Sequence, residues 1–138
     1  MAQAALKYEL EMPASGGAAA VETKTDDREI DLVHLARQTL GDVALEREIL
    51  SLFVVQSQVY LLRLQAAESQ RDWSRAVHTI KGSAKGIGAF PLARAAEAAE
   101  ALGGQVHDEA HRRAAQDLLE RVSAANACVR SYLSQVSQ

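Results

Sequence analysis

The sequence has few aromatic residues, few prolines and a single cysteine. Aromatic residues make up only 4% of the 138 residues, although 48% are hydrophobic, and a β-sandwich would need more aromatic and β-branched pairs. The lone Cys128 leaves no internal disulfide and no cysteine cluster for zinc, which suits a reducing compartment. These absences favour a helical protein over an all-β fold.

A strong excess of one charge and a long apolar run are also missing. The formal net charge is −3, from 15 basic and 18 acidic residues, so no strong positive field is available to hold a nucleic acid. No segment reaches the roughly 18 to 20 apolar residues of a membrane span. Lys7, Glu9 and Glu11 interrupt the N-terminus where a signal peptide has its apolar run. We therefore expect a cytoplasmic protein whose partners include neither a nucleic acid nor a membrane.

The chain has the length of one domain and begins with a segment of different composition. A domain of this size buries roughly 70% of its unfolded surface, which is enough for a hydrophobic core. Residues 1–27 mix small residues with scattered charges and show no sustained periodicity, so we expect a flexible leader there. Residues 28–138 are expected to form one helical domain.

Apolar spacing and capping residues predict three helices in the first part of this domain. A short helix from about Ile30 ends at Gly41, and Asp42 is placed to cap a second helix that runs to about Ala67. Asp72 is expected to cap the third helix. Apolar residues follow two stripes along the second helix, and this pattern predicts neighbours on two sides. One stripe is Leu45, Ile49, Leu52, Gln56, Val59 and Leu62, and the other is Leu50, Phe53, Ser57, Tyr60 and Leu64.

Two further helices complete the predicted domain. Pro91 suits the first turn of a fourth helix that stops at Gly103, and a final helix runs from about Val106 to Val136. Short connections between long amphipathic helices favour antiparallel neighbours. The predicted fold is therefore all-α, an up-down antiparallel four-helix bundle with a short extra N-terminal helix. We expect a monomer, since one chain can close such a bundle.

The third predicted helix carries a histidine between basic residues. At about 100° per residue, His78 lies about 140° from the centre of the apolar seam, so its ring points outward and Lys81 and Lys85 flank it. An accessible neutral imidazole is a good nucleophile toward phosphorus, and nearby ammonium groups stabilise a phosphoryl group. Gly82, one turn later, lets another protein approach closely. The same residues also fit an ordinary solvated helix face, so the pattern alone leaves both interpretations open.

The segment from His78 to Gly88 resembles the signature of a known family. It reads His-Thr-Ile-Lys-Gly-Ser-Ala-Lys-Gly-Ile-Gly. This run is similar to the His-x-x-Lys-Gly motif of histidine-containing phosphotransfer (HPt) domains, including a further glycine ten residues after the histidine. The resemblance in predicted helix order extends from about Ile30 to Val136.

The resemblance implies that the chain is an intermediate in a two-component phosphorelay. His78 would accept a phosphoryl group, by resemblance on Nε2, from the aspartyl phosphate of one receiver domain and pass it to an aspartate of another. The other implied site residues are Lys81 and Lys85 beside the phosphoryl group, Gly82, Ser74 and Ser83 at the receiver-docking surface, and Gly88 as a structural glycine. The docking surface is expected on the second and third helices near His78.

The resemblance also implies the partners of the chain. These are response-regulator receiver domains and a hybrid histidine kinase, and the receiver would supply Mg²⁺, so that no cofactor is expected on this chain. A phosphate-binding loop of the form Gly-x-x-x-x-Gly-Lys-Ser/Thr is absent, and Thr79 rather than an acidic residue follows His78. We therefore expect a phosphocarrier rather than a kinase with its own ATP site. The alternative is a non-catalytic helical bundle that binds a signalling partner without phosphotransfer.

Four other residues could carry chemistry but have plainer interpretations. His107 and His111 have a spacing that can chelate zinc, but no glutamate directly follows the first histidine, so we expect polar surface and no metal. Cys128 is expected to be a small buried apolar residue, and His34 part of a helix flank.

Overall fold

A computed structural model describes residues 28–136, and within this range the chain forms five α-helices and no strand. The helices are α1 (Leu32–Thr39), α2 (Val43–Gln65), α3 (Gln70–Ile87), α4 (Phe90–Glu100) and α5 (Glu109–Val136). Helices α2 to α5 contact one another in a closed ring, and α1 packs against α2 and α3. The predicted all-α bundle with a short extra helix is confirmed. The leader predicted for residues 1–27 lies outside the described residues.

The helix starts agree with the capping prediction at α2 and disagree at α3. Asp42 caps α2, where its Oδ1 accepts a hydrogen bond from the Leu45 N–H at 3.1 Å. The prediction that Asp72 caps α3 is wrong, because Ser69 is the cap and its Oγ accepts from the Asp72 N–H at 3.1 Å. Asp72 instead lies in the first turn of α3, where its negative charge interacts favourably with the helix dipole.

The last helix also begins later than its sequence pattern predicts. It starts at Glu109 rather than near Val106. The reason is Asp108, whose Oδ1 accepts a hydrogen bond from the His111 N–H at 2.8 Å and so satisfies a donor that a first helical turn leaves free.

The core lies between the four long helices, and α3 contributes a continuous apolar seam to it. The buried members of this seam are Trp73, Val77, Ile80, Ala84 and Ile87. Because consecutive seam residues are four or three positions apart, the residues between them, including His78, are turned toward solvent. The packing of α3 thus determines which of its side chains remain accessible.

A buried carboxylate joins α1, α2 and α5 at one end of the bundle. Glu46 of α2 accepts hydrogen bonds from Thr39 Oγ1 at 3.2 Å and from the Tyr132 hydroxyl at 2.8 Å. The bond to Glu46, together with burial, raises the pKa of Tyr132. With both carboxylate oxygens bonded, Glu46 is a satisfied polar group of the interior.

The two apolar stripes of α2 have different surroundings. Leu50, Phe53, Ser57 and Leu64 of one stripe are buried and Tyr60 is half-buried. On the other stripe the exposed fractions are 39% for Leu45, 54% for Leu52, 40% for Val59 and 66% for Leu62. Helix α2 does have several neighbours, α1, α3 and α5, and Ile49 of the second stripe packs against the core, but the other apolar members of that stripe remain exposed.

None of the helices in the described part of the chain is both long and apolar enough to cross a membrane.

Candidate functional site

His78 lies near the middle of α3 on its solvent side. Its side chain is 70% exposed, whereas Val77 and Ile80 on the opposite side of the helix are buried. The outward orientation predicted from the helical period is therefore the one in the structure. An imidazole in this position is open to a second protein.

Glu100, in the last turn of α4, contacts both His78 and Lys81. Its Oε2 lies 3.0 Å from Nδ1 of His78, and its Oε1 lies 2.7 Å from Nζ of Lys81. The hydrogen bond from Lys81 is the largest cause that lowers the pKa of Glu100, and the hydrogen bond from His78 lowers it further against an opposing effect of burial. Glu100 is therefore an ionised carboxylate around neutral pH.

The contact with Glu100 determines which ring nitrogen of His78 is protonated. A carboxylate only accepts hydrogen bonds, so Nδ1 of His78 must carry the proton that lies between the two groups. In the neutral ring the unshared electron pair is then on Nε2. Because the side chain is largely exposed, this nucleophilic nitrogen is available to a partner.

Sequence reasoning missed Glu100. It follows His78 by 22 positions and belongs to no motif around it. The available signal was the antiparallel arrangement of α3 and α4, which brings the end of α4 beside the middle of α3. Selecting Glu100 rather than Glu97, one turn earlier, would have required knowing how α4 is aligned along α3.

The two predicted lysines are in different situations. Lys81 is held by Glu100, and its side chain is only 20% exposed. Lys85 is half-buried one turn later and is not among the groups that contact Glu100. The structure thus brings one of the two predicted ammonium groups into direct contact with the group that binds His78.

The predicted glycines lie on two parts of α3. Gly82 is exposed, and a Cβ added there would meet nothing within 4 Å. Gly86, one turn further, is equally open. Gly88 ends the helix with φ of 82°, and a Cβ there would lie 2.7 Å from the carbonyl oxygen of Asp31. The first two leave the helix surface open, and Gly88 allows the segment before α1 to pack closely.

A groove of about 770 Å³ runs beside His78 between α2 and α3. Ser74 and Arg75 line it from α3, and Tyr60 and Arg63 line it from α2. The Arg63 guanidinium lies 4.8 Å from the centre of the Tyr60 ring. The predicted residue Ser83 is half-buried and is not among the residues that line this groove.

The four residues with plainer interpretations are all within the described range. His107 is 66% exposed, as expected, but His111 is fully buried, so the prediction of polar surface is wrong for it. His34 is also buried, with its ring 5.2 Å from that of Phe90. Cys128 is half-buried, and burial is the main cause that raises the pKa of its thiol, which makes it a poor nucleophile.

Among residues 28–136, no three His, Cys, Asp or Glu side chains are grouped so that they could hold a metal ion.

Comparisons with known proteins find one family and similar solved structures. The family model described as the Hpt domain matches residues 48–138. The HPT domain of the Hpt sensor hybrid histidine kinase from Shewanella has a TM-score of 0.68 and 18% identity, covering 80% of this chain and 97% of that one. Histidine phosphotransferase ShpA from Caulobacter crescentus has a TM-score of 0.63 and 27% identity, covering 80% of this chain and 95% of that one. No curated protein matches the chain in a sequence search.

Proposed function

The chain belongs to the Hpt domain family, the histidine phosphotransfer domains of phosphorelays, and from this premise we propose that His78 carries the phosphoryl group. His78 accepts it from the aspartyl phosphate of a response-regulator receiver domain and passes it to the aspartate of another receiver. The observation that carries the proposal is the exposed ring of His78, whose Nδ1 is bound to Glu100 so that Nε2 is free to react.

The transfer conserves the atoms and electrons of both partners. The Nε2 electron pair forms the new N–P bond as the bond from phosphorus to the receiver's aspartate oxygen breaks, and the aspartate leaves as a carboxylate. The ring then holds a proton on Nδ1 and a phosphoryl group on Nε2, so it gains positive charge. The Glu100 carboxylate, 3.0 Å from Nδ1, stabilises that charge. Passage to the second receiver is the reverse of this step.

The basic residues near His78 complement a phosphoryl group. Lys81 holds the Glu100 carboxylate at 2.7 Å, and Lys85 lies one turn further along the same helix. Phosphoryl transfer is catalysed mainly by positioning and by charge. Mg²⁺ is expected in the receiver's acidic pocket, and no cofactor is expected on this chain.

The receiver is proposed to dock on the face that α2 and α3 form around His78. Gly82 leaves the surface of α3 open one turn from His78, and Ser74 lines the adjoining groove. The exposed side chains of Val59 and Leu62 lie on α2 next to the groove residues Tyr60 and Arg63. A specific interface has an apolar centre and a polar rim, and this face offers both.

The similar structures support the proposed partners. ShpA is a histidine phosphotransferase, and the Shewanella domain belongs to a hybrid histidine kinase. We propose a receiver of a hybrid kinase and a separate response regulator as the two partners of the chain.

A receiver panel tests the assignment of His78. Phosphorylated receiver domains, including those of the source organism, are mixed with Mg²⁺ and with the wild type, the His78→Gln variant or the His107→Gln variant. His107 is a matched control because its side chain is 66% exposed, close to the 70% of His78. We expect acid-labile label on the wild type and on His107→Gln, and none on His78→Gln, because only His78 has a free nucleophilic nitrogen supported by Glu100.

Two results would contradict the proposal. Label on the His78→Gln variant would show that a residue other than His78 is phosphorylated. A folded wild type that accepts label from none of the receivers would make the chain a non-catalytic interaction module, whose binding His78→Gln would leave intact.

A further inference from the structure

His111 is buried at the start of α5 although it is one turn from the exposed His107. Its side chain is fully buried, and its ring packs edge-on against Trp73 with 4.6 Å between the ring centres. Nδ1 lies 2.7 Å from Oδ1 of Asp108, and Nε2 lies 3.2 Å from Oε1 of Gln70. The hydrogen bonds from the His111 backbone and ring lower the pKa of Asp108, so its carboxylate stays charged beside the ring.

The orientation of Gln70 follows from its second contact. The Gln70 side-chain nitrogen donates to the carbonyl oxygen of Leu102 at 2.8 Å. A carbonyl only accepts, so the amide nitrogen must face Leu102 and the amide oxygen must face His111. Gln70, the first residue of α3, therefore links the start of α5 to the chain just after α4.

These contacts surround the residue that binds His78. The Trp73 indole N–H donates to the carbonyl oxygen of Ala99 at 3.0 Å, and Gln70 donates to that of Leu102. Ala99 lies in the last turn of α4 and Leu102 lies two residues past its end, so two side chains of α3 hold the backbone on either side of Glu100. The backbone that carries Glu100 is thereby fixed to the helix that carries His78.

The contacts with Asp108 and Gln70 matter because His111 is fully buried. A surface depression of about 240 Å³ lies beside it, lined by His111 and Trp73 together with Gln65 and Leu119. The ring itself has no exposed surface, so its two nitrogens need polar partners from within the protein. Asp108 and Gln70 supply them, which fixes the orientation of the ring.

We propose that Gln70 and His111 are positioning residues for His78. They fix the backbone at the end of α4 and so keep the Glu100 carboxylate hydrogen-bonded to Nδ1 of His78. The inference rests on the proposed role of His78 in transfer. The inference assigns a function to the buried His111, which lies more than 30 positions after His78 in the chain. Misplacing a catalytic group by about 1 Å can slow a reaction as much as 100-fold.

The test reads the protonated nitrogen of His78 directly. Imidazole nitrogen NMR shifts report the share of neutral His78 that is protonated on Nδ1. Transfer to and from a phosphorylated receiver is measured on the same samples, with the rate constant separated from the receiver concentration at half saturation. A purely structural role of Gln70 would not change the tautomer of His78 in a folded protein.

Three variants and a control distinguish the contacts. Gln70→Met keeps the side-chain length but removes the contacts of the amide with His111 and Leu102, together with a long one of 3.5 Å to Ser74 Oγ. His111→Phe keeps the ring against Trp73 but removes its polar contacts. Gln70→Glu keeps an acceptor for His111 and loses the donor to Leu102 and Ser74, so it still tests the proposal if Gln70→Met does not fold. The control is Gln65→Met, the same substitution at a residue that lines the same cavity and contacts neither His111 nor Leu102 through these bonds.

We expect the three variants to lose much of the Nδ1-protonated form of His78 and to transfer about tenfold more slowly at unchanged half-saturation. Gln65→Met should match the wild type in both readouts. Folded variants that keep the wild-type tautomer would overturn the inference, as would a control that changes as much as they do. If no protein accepts a phosphoryl group, the proposed function fails, and the tautomer measurement still decides whether these residues position Glu100.

Discussion

At the scale of single residues, the proposed chemistry depends on one carboxylate that contacts two neighbours. Glu100 accepts from His78 with one oxygen and from Lys81 with the other. The first contact leaves Nε2 unprotonated, and the second keeps the carboxylate ionised. Through Glu100, Lys81 is linked to Nδ1 of His78, in addition to the place beside the phosphoryl group that the sequence resemblance implies for it.

The lowered pKa of Glu100 predicts a pH dependence of stability. The carboxyl group ionises more readily in the folded than in the unfolded chain, so its contribution is fully present above the unfolded value of about 4.3 and is lost as the pH falls through the folded value. Unfolding by urea, followed at a series of pH values, measures this effect in the wild type and in Glu100→Gln. We expect the wild type to be more stable by about 1 kcal/mol or less at neutral pH.

The pH profile of this difference is the decisive observation. The greater stability of the wild type should decrease as the pH falls below the usual pKa range of glutamate. There Glu100 becomes protonated and no longer makes charged hydrogen bonds with Lys81 and His78. A difference that stays constant down to the acid limit would show that Glu100 does not form these charged contacts.

At the scale of elements, α3 combines a buried seam with three glycines that have two different functions. Gly82 and Gly86 face open space, whereas Gly88 has a positive φ and lies against the backbone of Asp31. Glycine within a helix costs about 0.5 to 1 kcal/mol relative to alanine. Gly88 has the conformation that ends the helix, so there the same replacement has the opposite effect.

Alanine substitutions should therefore change stability in opposite directions. We expect Gly82→Ala and Gly86→Ala each to stabilise the fold by about 0.5 to 1 kcal/mol. Gly88→Ala should destabilise it by about 2 kcal/mol or more, since it adds a left-handed alanine to a close contact with Asp31. Urea unfolding measures all three. Gly82→Ala should also slow transfer, because its methyl group lies in the path of the receiver.

The control in this series is Gly86→Ala, which shares the helical environment of Gly82 one turn further from His78. A stable Gly88→Ala would mean that the segment before α1 can move away from the helix end at little cost. A destabilised Gly82→Ala would mean that its open surface is not open in solution.

At the scale of the whole molecule, the exposed large hydrophobic residues of the described range belong to its first helices. The exposed large hydrophobic residues of the described range all fall between positions 32 and 62, on α1, α2 and the turn between them. Monomeric proteins seldom expose contiguous apolar patches larger than a few hundred Å², and larger ones mark interaction sites. The part of this surface that borders the His78 groove is the part assigned to the receiver.

Polar substitutions on α2 test that assignment. We expect Val59→Ser and Leu62→Ser to change the free energy of unfolding by about 0.5 kcal/mol or less, since both side chains are exposed. Each should weaken receiver binding by about 1 to 2 kcal/mol, roughly tenfold, if it lies at the centre of the interface. Calorimetric titration with a receiver measures the affinity.

Val33→Ser is the matched control, because Val33 is 55% exposed but lies on α1, whereas Val59 and Leu62 lie on α2 next to the groove residues Tyr60 and Arg63. An equal loss of affinity for Val33→Ser would place the receiver on a different part of the apolar surface. Unchanged affinity for all three variants would remove the apolar stripe from the interface.

Local sequence signals were sufficient for the elements and for the outward position of His78. The helical period separates the buried seam of α3 from its solvent side, and Asp42 and Gly88 mark helix ends by their own hydrogen bonding and backbone conformation. Such signals need only a few neighbouring residues. For this reason the bundle, its extra helix and the accessible imidazole could all be predicted without coordinates.

Which residues of different helices contact one another was decided by the tertiary structure alone. Glu100 meets His78 because α3 and α4 pack with one particular register, and His111 is buried because Trp73 and Gln70 of another helix cover it. Most of the second apolar stripe of α2 stays exposed, although Ile49 of that stripe packs against the core. Contacts between residues far apart in the chain depend on how the helices pack against one another, and no local pattern encodes that arrangement.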